Sequence, residues 1–294
     1  MGLDLRRYLR LLRVARRVGT RIKSAEYSTL SGVFPLHFPA LDIELDATPE
    51  QLSTMLRSTE AAWTRMGAEC PHYSVITEEE FRPGRALGEF WTSGEAEAET
   101  AAYLLQQIGF GDLTAKTCVE YGCGVGRVTV PFAGKFAEVD AYDISRNHLA
   151  LASERAQAAG APNIRFHHQT GGTLVPLASC DFFYSRLVFQ HNPPLVIREL
   201  IRAALASLRP GGVAIFGVPV YVSGYRFRVS GYLARPVTPP MEFHCIPQRA
   251  IFVLIAEAGC RLIELREERT VDWEAEVLGN IFVIGRPDAT ESSR

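Results

Sequence analysis

None of the six cysteines in this chain of 294 residues (Cys70, Cys118, Cys123, Cys180, Cys245, Cys260) stands in a C-x-x-C pair. That scatter excludes the common zinc spacings and a disulfide framework, and it points to reduced thiols in a cytoplasm. There is no run of about 18 apolar residues, so no membrane-spanning helix is expected. Near the N-terminus arginines interrupt every apolar stretch before a secretory hydrophobic region forms. Internal repeats, low-complexity tracts and metal-ligand clusters are absent from the pattern as well. Basic charge is scarce over most of the length. Residues 1–23 hold eight Arg and Lys against one acid, which leaves −9 for everything after them. A body that acidic argues against nucleic-acid binding, whose footprint is a broad basic face.

What is present divides into two textures. Leu5, Tyr8, Leu9, Leu12, Ala15, Gly19 and Ile22 form an apolar stripe of helical spacing, with arginines on another face. Such a helix suits either an anionic membrane surface or docking onto an acidic protein surface, including an oligomer of this chain. A second helix is predicted over 49–66, with Thr48 as N-cap and Gln51 completing a capping box, and a third over 94–108. From Lys116 onward short apolar runs alternate with helical stretches, the mark of βαβ units. Strands are predicted at 117–121, 138–143, 163–168, 181–185 and 213–218. Ser145 caps the helix that follows the second of these strands, and Asn192 the one that follows the fourth. A long irregular segment, 219–247, precedes a helix at 248–258 and β-rich stretches at 261–267 and 280–285.

Three glycines at alternate positions in "VEYGCGVGR" follow the first predicted strand. A glycine-rich turn there lets a ligand approach bare backbone near a helix N-terminus. The dinucleotide fingerprint is G-x-G-x-x-G, whereas Gly122, Gly124 and Gly126 are spaced G-x-G-x-G and Arg127 stands where the third glycine belongs. Glu120, at the strand's end, repels a pyrophosphate and suits a cofactor carrying an ammonium or sulfonium charge. Asp143 closes the second strand, 19 residues after Gly124, where a carboxylate accepts hydrogen bonds from ribose hydroxyls.

Together "VEYGCGVGR", "VDAYDISRNHLALA", "DFFYSRLVFQHNPP" and "LRPGGVAIF" resemble, in order and spacing, the motifs of class I S-adenosylmethionine-dependent methyltransferases of the small-molecule branch. The resemblance spans about residues 115 to 286. It implies a Rossmann-like doubly wound sheet, mostly parallel with an antiparallel C-terminal strand, preceded by a helical extension. On this reading residues 1–94 form the extension or substrate cap, and 95–294 the methyltransferase domain with a lid insertion at 219–247. The cofactor implied is S-adenosyl-L-methionine. Glu120, Gly122, Cys123, Gly124 and Gly126 are implied around its methionine part, Asp143 at the ribose and Ile144 against the adenine. Gln169 or Thr170 takes the adenine-side position where the family often has an acid, and Ser185 closes the fourth strand beside the set.

Methyl transfer is an in-line displacement in which positioning supplies much of the rate, and a hydroxyl acceptor also needs a base. His244, two residues after Glu242 in the lid segment, is the first choice for that base, with Glu242 orienting it. His191, after the fourth strand, is the competitor. Tyr221, Tyr225, Phe227, Tyr232 and Phe243, with Arg226 and Arg228, make a mixed aromatic and basic set suited to a sugar ring, a phenol or an anionic small molecule. The leading expectation is O-methylation of a sugar, glycan or other small molecule. The alternative is a regulatory protein that keeps the cofactor fold and docks through its basic helix to a membrane or partner.

Overall fold

The computed structural model describes residues 41–170, 172–236, 239, 241–268 and 277–288. The chain divides into two units, Met1–Ala40 and Leu41–Arg294. The predicted basic helix within residues 1–23 lies outside the described residues.

The second unit opens with a short strand β1 (Asp42–Ile43) and helix α1 (Pro49–Glu69). The capping box forms as predicted: the Gln51 N–H donates to Thr48 Oγ1 at 3.3 Å, and the Thr48 N–H donates to Gln51 Oε1 at 2.9 Å. Such a cap stabilises a helix start by about 1 kcal/mol. A one-turn helix α2 (Pro71–Val75) follows at once, then α3 (Gly88–Gln107). Helix α3 begins six residues before the predicted start at Gly94. Gly94 is interior because a Cβ there would lie 2.1 Å from the Arg127 carbonyl oxygen. It is a close-approach glycine rather than a breaker.

The sheet is built from β2 (Thr117–Tyr121), β3 (Glu138–Asp143), β4 (Ile164–His168), β5 (Cys180–Ser185), β6 (Leu208–Val222), β8 (Arg261–Glu268) and β9 (Val277–Gly285). Its order is β4-β3-β2-β5-β6-β9-β8, with β2 to β6 parallel and β9 antiparallel to both β6 and β8. Helices α4 (Thr129–Ala133), α5 (Arg146–Ala158), α6 (Pro194–Ser207) and α8 (Gln248–Glu257) connect the strands. The central strands are buried on both faces, as continuous apolar runs such as "CDFFYS" require. Strand order reverses between β2 and β5, which opens a crevice at their carboxyl ends.

Met55 and Leu56 of α1 share one core with Val119 and Phe183 of the sheet. Two expectations need correction. Asn192 does not cap α6. Pro193 is the N-cap and Pro194 the first helical residue, while the Asn192 side chain turns back to the Val188 carbonyl at 3.0 Å. The segment after residue 218 is also more regular than its prolines suggest. Strand β6 continues to Val222 against β9, with a register shift between Pro219 and Tyr221 that accommodates the missing N–H. Beyond it come β7 (Arg226–Phe227), parallel to β1, and α7 (Val229–Leu233).

Candidate functional site

The loop after β2 is folded by backbone geometry. Gly122, Gly124 and Gly126 have φ of 79°, 53° and 82°, a region costly for any residue with a Cβ. Two N–H groups, of Gly122 and Cys123, donate to the Tyr142 carbonyl at 2.8 and 3.0 Å. Asp143 completes the arrangement: its Oδ2 accepts the Gly124 N–H and its Oδ1 the Ser145 N–H, both at 2.8 Å. Each carboxylate oxygen keeps a second lone pair for a ligand. The carboxylate therefore both fixes the loop and faces the crevice.

A cavity of about 610 Å³ occupies that crevice. Gly122, Gly124, Asp143 and Ile144 line it from the sheet side, Trp63 and Ser74 from α1 and α2, and Val188 and His191 from beyond β5. A second, wider cavity of about 1620 Å³ adjoins it, sharing Ser74, Val75, Arg186, Leu187 and His191 with the first. Its own walls include Glu89, Glu97, Arg127 and Phe243.

The floor of the wider cavity is an ion network. Glu97 accepts from Tyr184 OH at 2.7 Å and pairs with Arg127, while Arg186 reaches Glu97 at 3.4 Å and Glu268 at 3.0 Å. Arg127, the residue that broke the dinucleotide fingerprint, thus ties the glycine loop to α3. Leu187 beside it has φ of 59°, an uncommon conformation for a branched residue and a marker of constraint at the cavity wall.

His191 stands where the two cavities meet. Its Nδ1 lies 2.9 Å from the Glu242 carbonyl oxygen, a contact in which the nitrogen must donate, so the neutral ring carries its lone pair on Nε2. Burial lowers its pKa to about 4, so the ring is neutral at physiological pH. The Trp63 ring packs on it at 5.1 Å.

His244 is placed differently. Its Nδ1 takes the Tyr225 hydroxyl at 2.6 Å and its Nε2 lies 3.4 Å from Glu242 Oε2, so both ring nitrogens have partners. Phe227 and Tyr232 pack edge-on against the ring, and it lies on the wall of neither cavity. Glu242 is further held by Arg235. The expected Glu242–His244 pair exists, but it braces the segment. The His244 N–H bonds the Gln190 carbonyl at 2.7 Å, and through the Glu242 carbonyl the segment orients His191.

Apart from Phe243, which lines the wider cavity, the expected substrate set likewise turns away from both cavities. Tyr221 pairs with Leu278 in the β6–β9 ladder, Arg226 with Asp42 in the β1–β7 ladder, and Arg228 forms an ion pair with Asp42. Tyr225 and Tyr232 pack around His244. Of the expected cofactor residues, Gly122, Gly124, Asp143 and Ile144 reach the smaller cavity. Glu120, Cys123, Gly126, Gln169, Thr170 and Ser185 do not line it. Glu120 is buried against Thr129 Oγ1 at 2.6 Å, and burial raises its pKa to about 8. Its carboxyl is therefore mostly protonated at pH 7. A Cβ on Gly126 would lie 3.3 Å from the Ala152 Cβ on α5, and Ser185 donates to the Tyr121 carbonyl at 2.9 Å. Gln169 is fully buried beside β3 with its Oε1 unpartnered, while its amide donates to the Thr173 carbonyl at 3.0 Å.

Phe243 of the segment was expected at the site and lines the wider cavity, whereas Trp63, Ser74, Glu97, Arg186 and Leu187 were not anticipated. Trp63 sat in an ordinary helical stripe, and the others carry no local signature. Only "YSRL", at the end of a predicted strand, offered a positional hint.

Comparison with known proteins agrees with this fold. Residues 118–212 match a family model described as a methyltransferase domain. The magnesium protoporphyrin IX methyltransferase of Synechocystis PCC 6803, with SAH bound, superposes with a TM-score of 0.54 at 17% identity, over 77% of this chain and 97% of that one. The 1,6-didemethyltoxoflavin-N1-methyltransferase of Burkholderia thailandensis gives 0.53 at 17%, over 90% and 99%. The ubiquinone biosynthesis O-methyltransferase of Methylobacterium sp. (strain 4-46) is 29% identical over 107 residues, 36% of this chain. The matched stretch spans about two-fifths of that protein's length (42%), and in a second curated relative only a fifth (20%). Residues 118–212 thus resemble a methyltransferase domain, and the chain shares its fold with these two solved methyltransferases.

Proposed function

We propose that this chain uses S-adenosylmethionine to methylate a hydroxyl group of a small molecule, with His191 as the base. The residues fit the cofactor. Gly122 and Gly124 offer bare backbone on the smaller cavity, and Asp143 keeps an open lone pair on each oxygen. When bound, the cofactor supplies a methyl group on a sulfonium. The wider cavity then holds the acceptor, a glycan, a phenol or a comparable small molecule, against Phe243, Leu187 and His191.

The observation that carries this reading is the unprotonated Nε2 of His191 on the wall shared by both cavities. A base there accepts the acceptor's hydroxyl proton as the oxygen attacks, while Glu242 holds the tautomer from behind. Replacing His191 by Ala is expected to lower kcat by about 10²–10⁴ with little change in cofactor affinity. The test uses labelled S-adenosylmethionine and a panel of phenolic and sugar hydroxyl acceptors. Because the neutral ring is the active form, the wild-type rate should stay level from neutral pH down and fall only as pH approaches about 4. A His191→Ala enzyme with undiminished kcat would remove the base from this residue, and an amine turned over in place of every hydroxyl would overturn the acceptor class.

A further inference from the structure

The seven-stranded sheet has two outer strands, and they are finished differently. On β4, Arg165 bonds Asp140 and Glu138, and His167 bonds Asp140, so that edge is dressed with satisfied polar groups. Natural sheets guard their edges in this way. On β8, Leu262, Ile263 and Leu265 are each 38% exposed, and the adjoining α8 adds Phe252 at 40% and Val253 at 47%. These are five of the seven large apolar side chains that stand exposed among the described residues.

The register sorts these side chains onto the two faces of the sheet. Leu262 opposes Ile284 and Leu265 opposes Phe282, and the Phe252 ring lies 6.3 Å from that of Phe282. Leu262, Leu265 and Phe252 therefore form one apolar strip on the α8 side. On the other face Glu264 opposes Val283 and Arg266 opposes Ile281, and Arg266 donates to Glu264 at 2.6 and 3.0 Å. A bulge between Leu262 and Glu264 leaves the run from Glu264 to Glu268 straight.

We propose that this edge docks a second copy of the chain, β8 against β8, antiparallel about a two-fold axis at Leu265. The central run Glu264–Leu265–Arg266 is self-complementary in that register. Leu265 then meets its own symmetry mate, with both Phe252 rings beside it. Glu264 of each copy faces Arg266 of the other, so two cross-strand ion pairs form on the opposite face. Directly opposed pairs of this kind stabilise an antiparallel ladder, and a two-fold interface must be complementary to itself in this way. Shifting the pairing by one residue either way sets charge against Leu265.

Light scattering on the full chain, at a concentration on the order of 100 μM where a standard-size interface is saturated, tests the assignment. The wild type should have twice the chain mass, and Leu265→Lys should weaken association at least about 10-fold while cofactor binding persists. Glu264→Arg places like charges opposite one another in a self-pair, and so does Arg266→Glu. Each alone should be monomeric, yet an equimolar mixture of the two should recover the dimer, because every cross-strand pair is then opposite in charge. That rescue cannot arise from misfolding. A wild type of single-chain mass would overturn the proposal. So would a dimer unaffected by Leu265→Lys, or one lost on deleting residues 1–40 but kept in both charge variants.

Discussion

The loop after β2 and the segment after β6 hold similar chemistry, a carboxylate with ring or backbone donors around it, and they use it in opposite ways. In the loop, Asp143 engages two backbone N–H groups and still faces the cavity with lone pairs open. In the segment, Glu242, His244, Tyr225 and Arg235 satisfy one another, and the polar group that supports the site is a backbone carbonyl. A binding surface has to retain unsatisfied polar capacity, whereas a brace gains stability by closing its hydrogen bonds. The two regions act on the same site, the loop as a wall and the segment as a support behind His191.

Substitutions in the two regions should therefore differ in kind. The largest effect is expected at Gly122. A Cβ there would lie 2.3 Å from Val188 Cγ2 in a backbone region of positive φ. Strain and overpacking together should cost about 2–5 kcal/mol. Gly122→Ala should show this loss in denaturant unfolding, together with cofactor binding at least about 10-fold weaker by calorimetry. Wild-type affinity in that variant would mean the loop is not the wall.

Asp143→Asn comes next. One oxygen becomes an NH₂ group facing a backbone N–H, so either the Gly124 or the Ser145 contact turns into donor against donor. The expected loss in cofactor affinity is about 1.5–3 kcal/mol, the range for hydrogen bonds to a charged group. An unchanged affinity in a folded protein would make Asp143 purely a loop fastener and erase its difference from Glu242.

The smallest effect belongs to Tyr225→Phe, which removes one partly buried hydrogen bond to His244. Stability should fall by about 0.5–1.5 kcal/mol, with KM for the acceptor unchanged. A tenfold rise in KM without loss of stability would show the segment to be a substrate surface after all, and the contrast with the loop would collapse.

Much of this was legible locally. Strands β2 and β3 fall at the residues predicted, because parallel strands buried on both faces leave unbroken apolar runs. Thr48 and Ser145 cap their helices as expected, since capping depends on residues three positions apart. The glycine loop and Asp143 were readable for a related reason: positive φ and a strand-end carboxylate are demands the chain meets within a few residues. Gly94 misled because a close-approach glycine and a helix stop look alike without the neighbour it approaches. Asn192 misled because a second proline displaced the cap by one residue.

The sequence alone determined the order of strands and helices, the glycine turn that faces the crevice, and the carboxylate that holds that turn. Only the tertiary structure decided that His191, not His244, faces the cavities, that Tyr225 and Tyr232 pack around His244, and that Trp63 and Arg186 join the site. The reason is range. A turn or a cap is fixed by contacts a few residues apart, whereas the tautomer of His191 depends on a carbonyl 51 residues away and Arg186 on Glu268, 82 residues away. Which nitrogen keeps its lone pair is settled by the partner that occupies the other, and that partner exists only once the chain has folded.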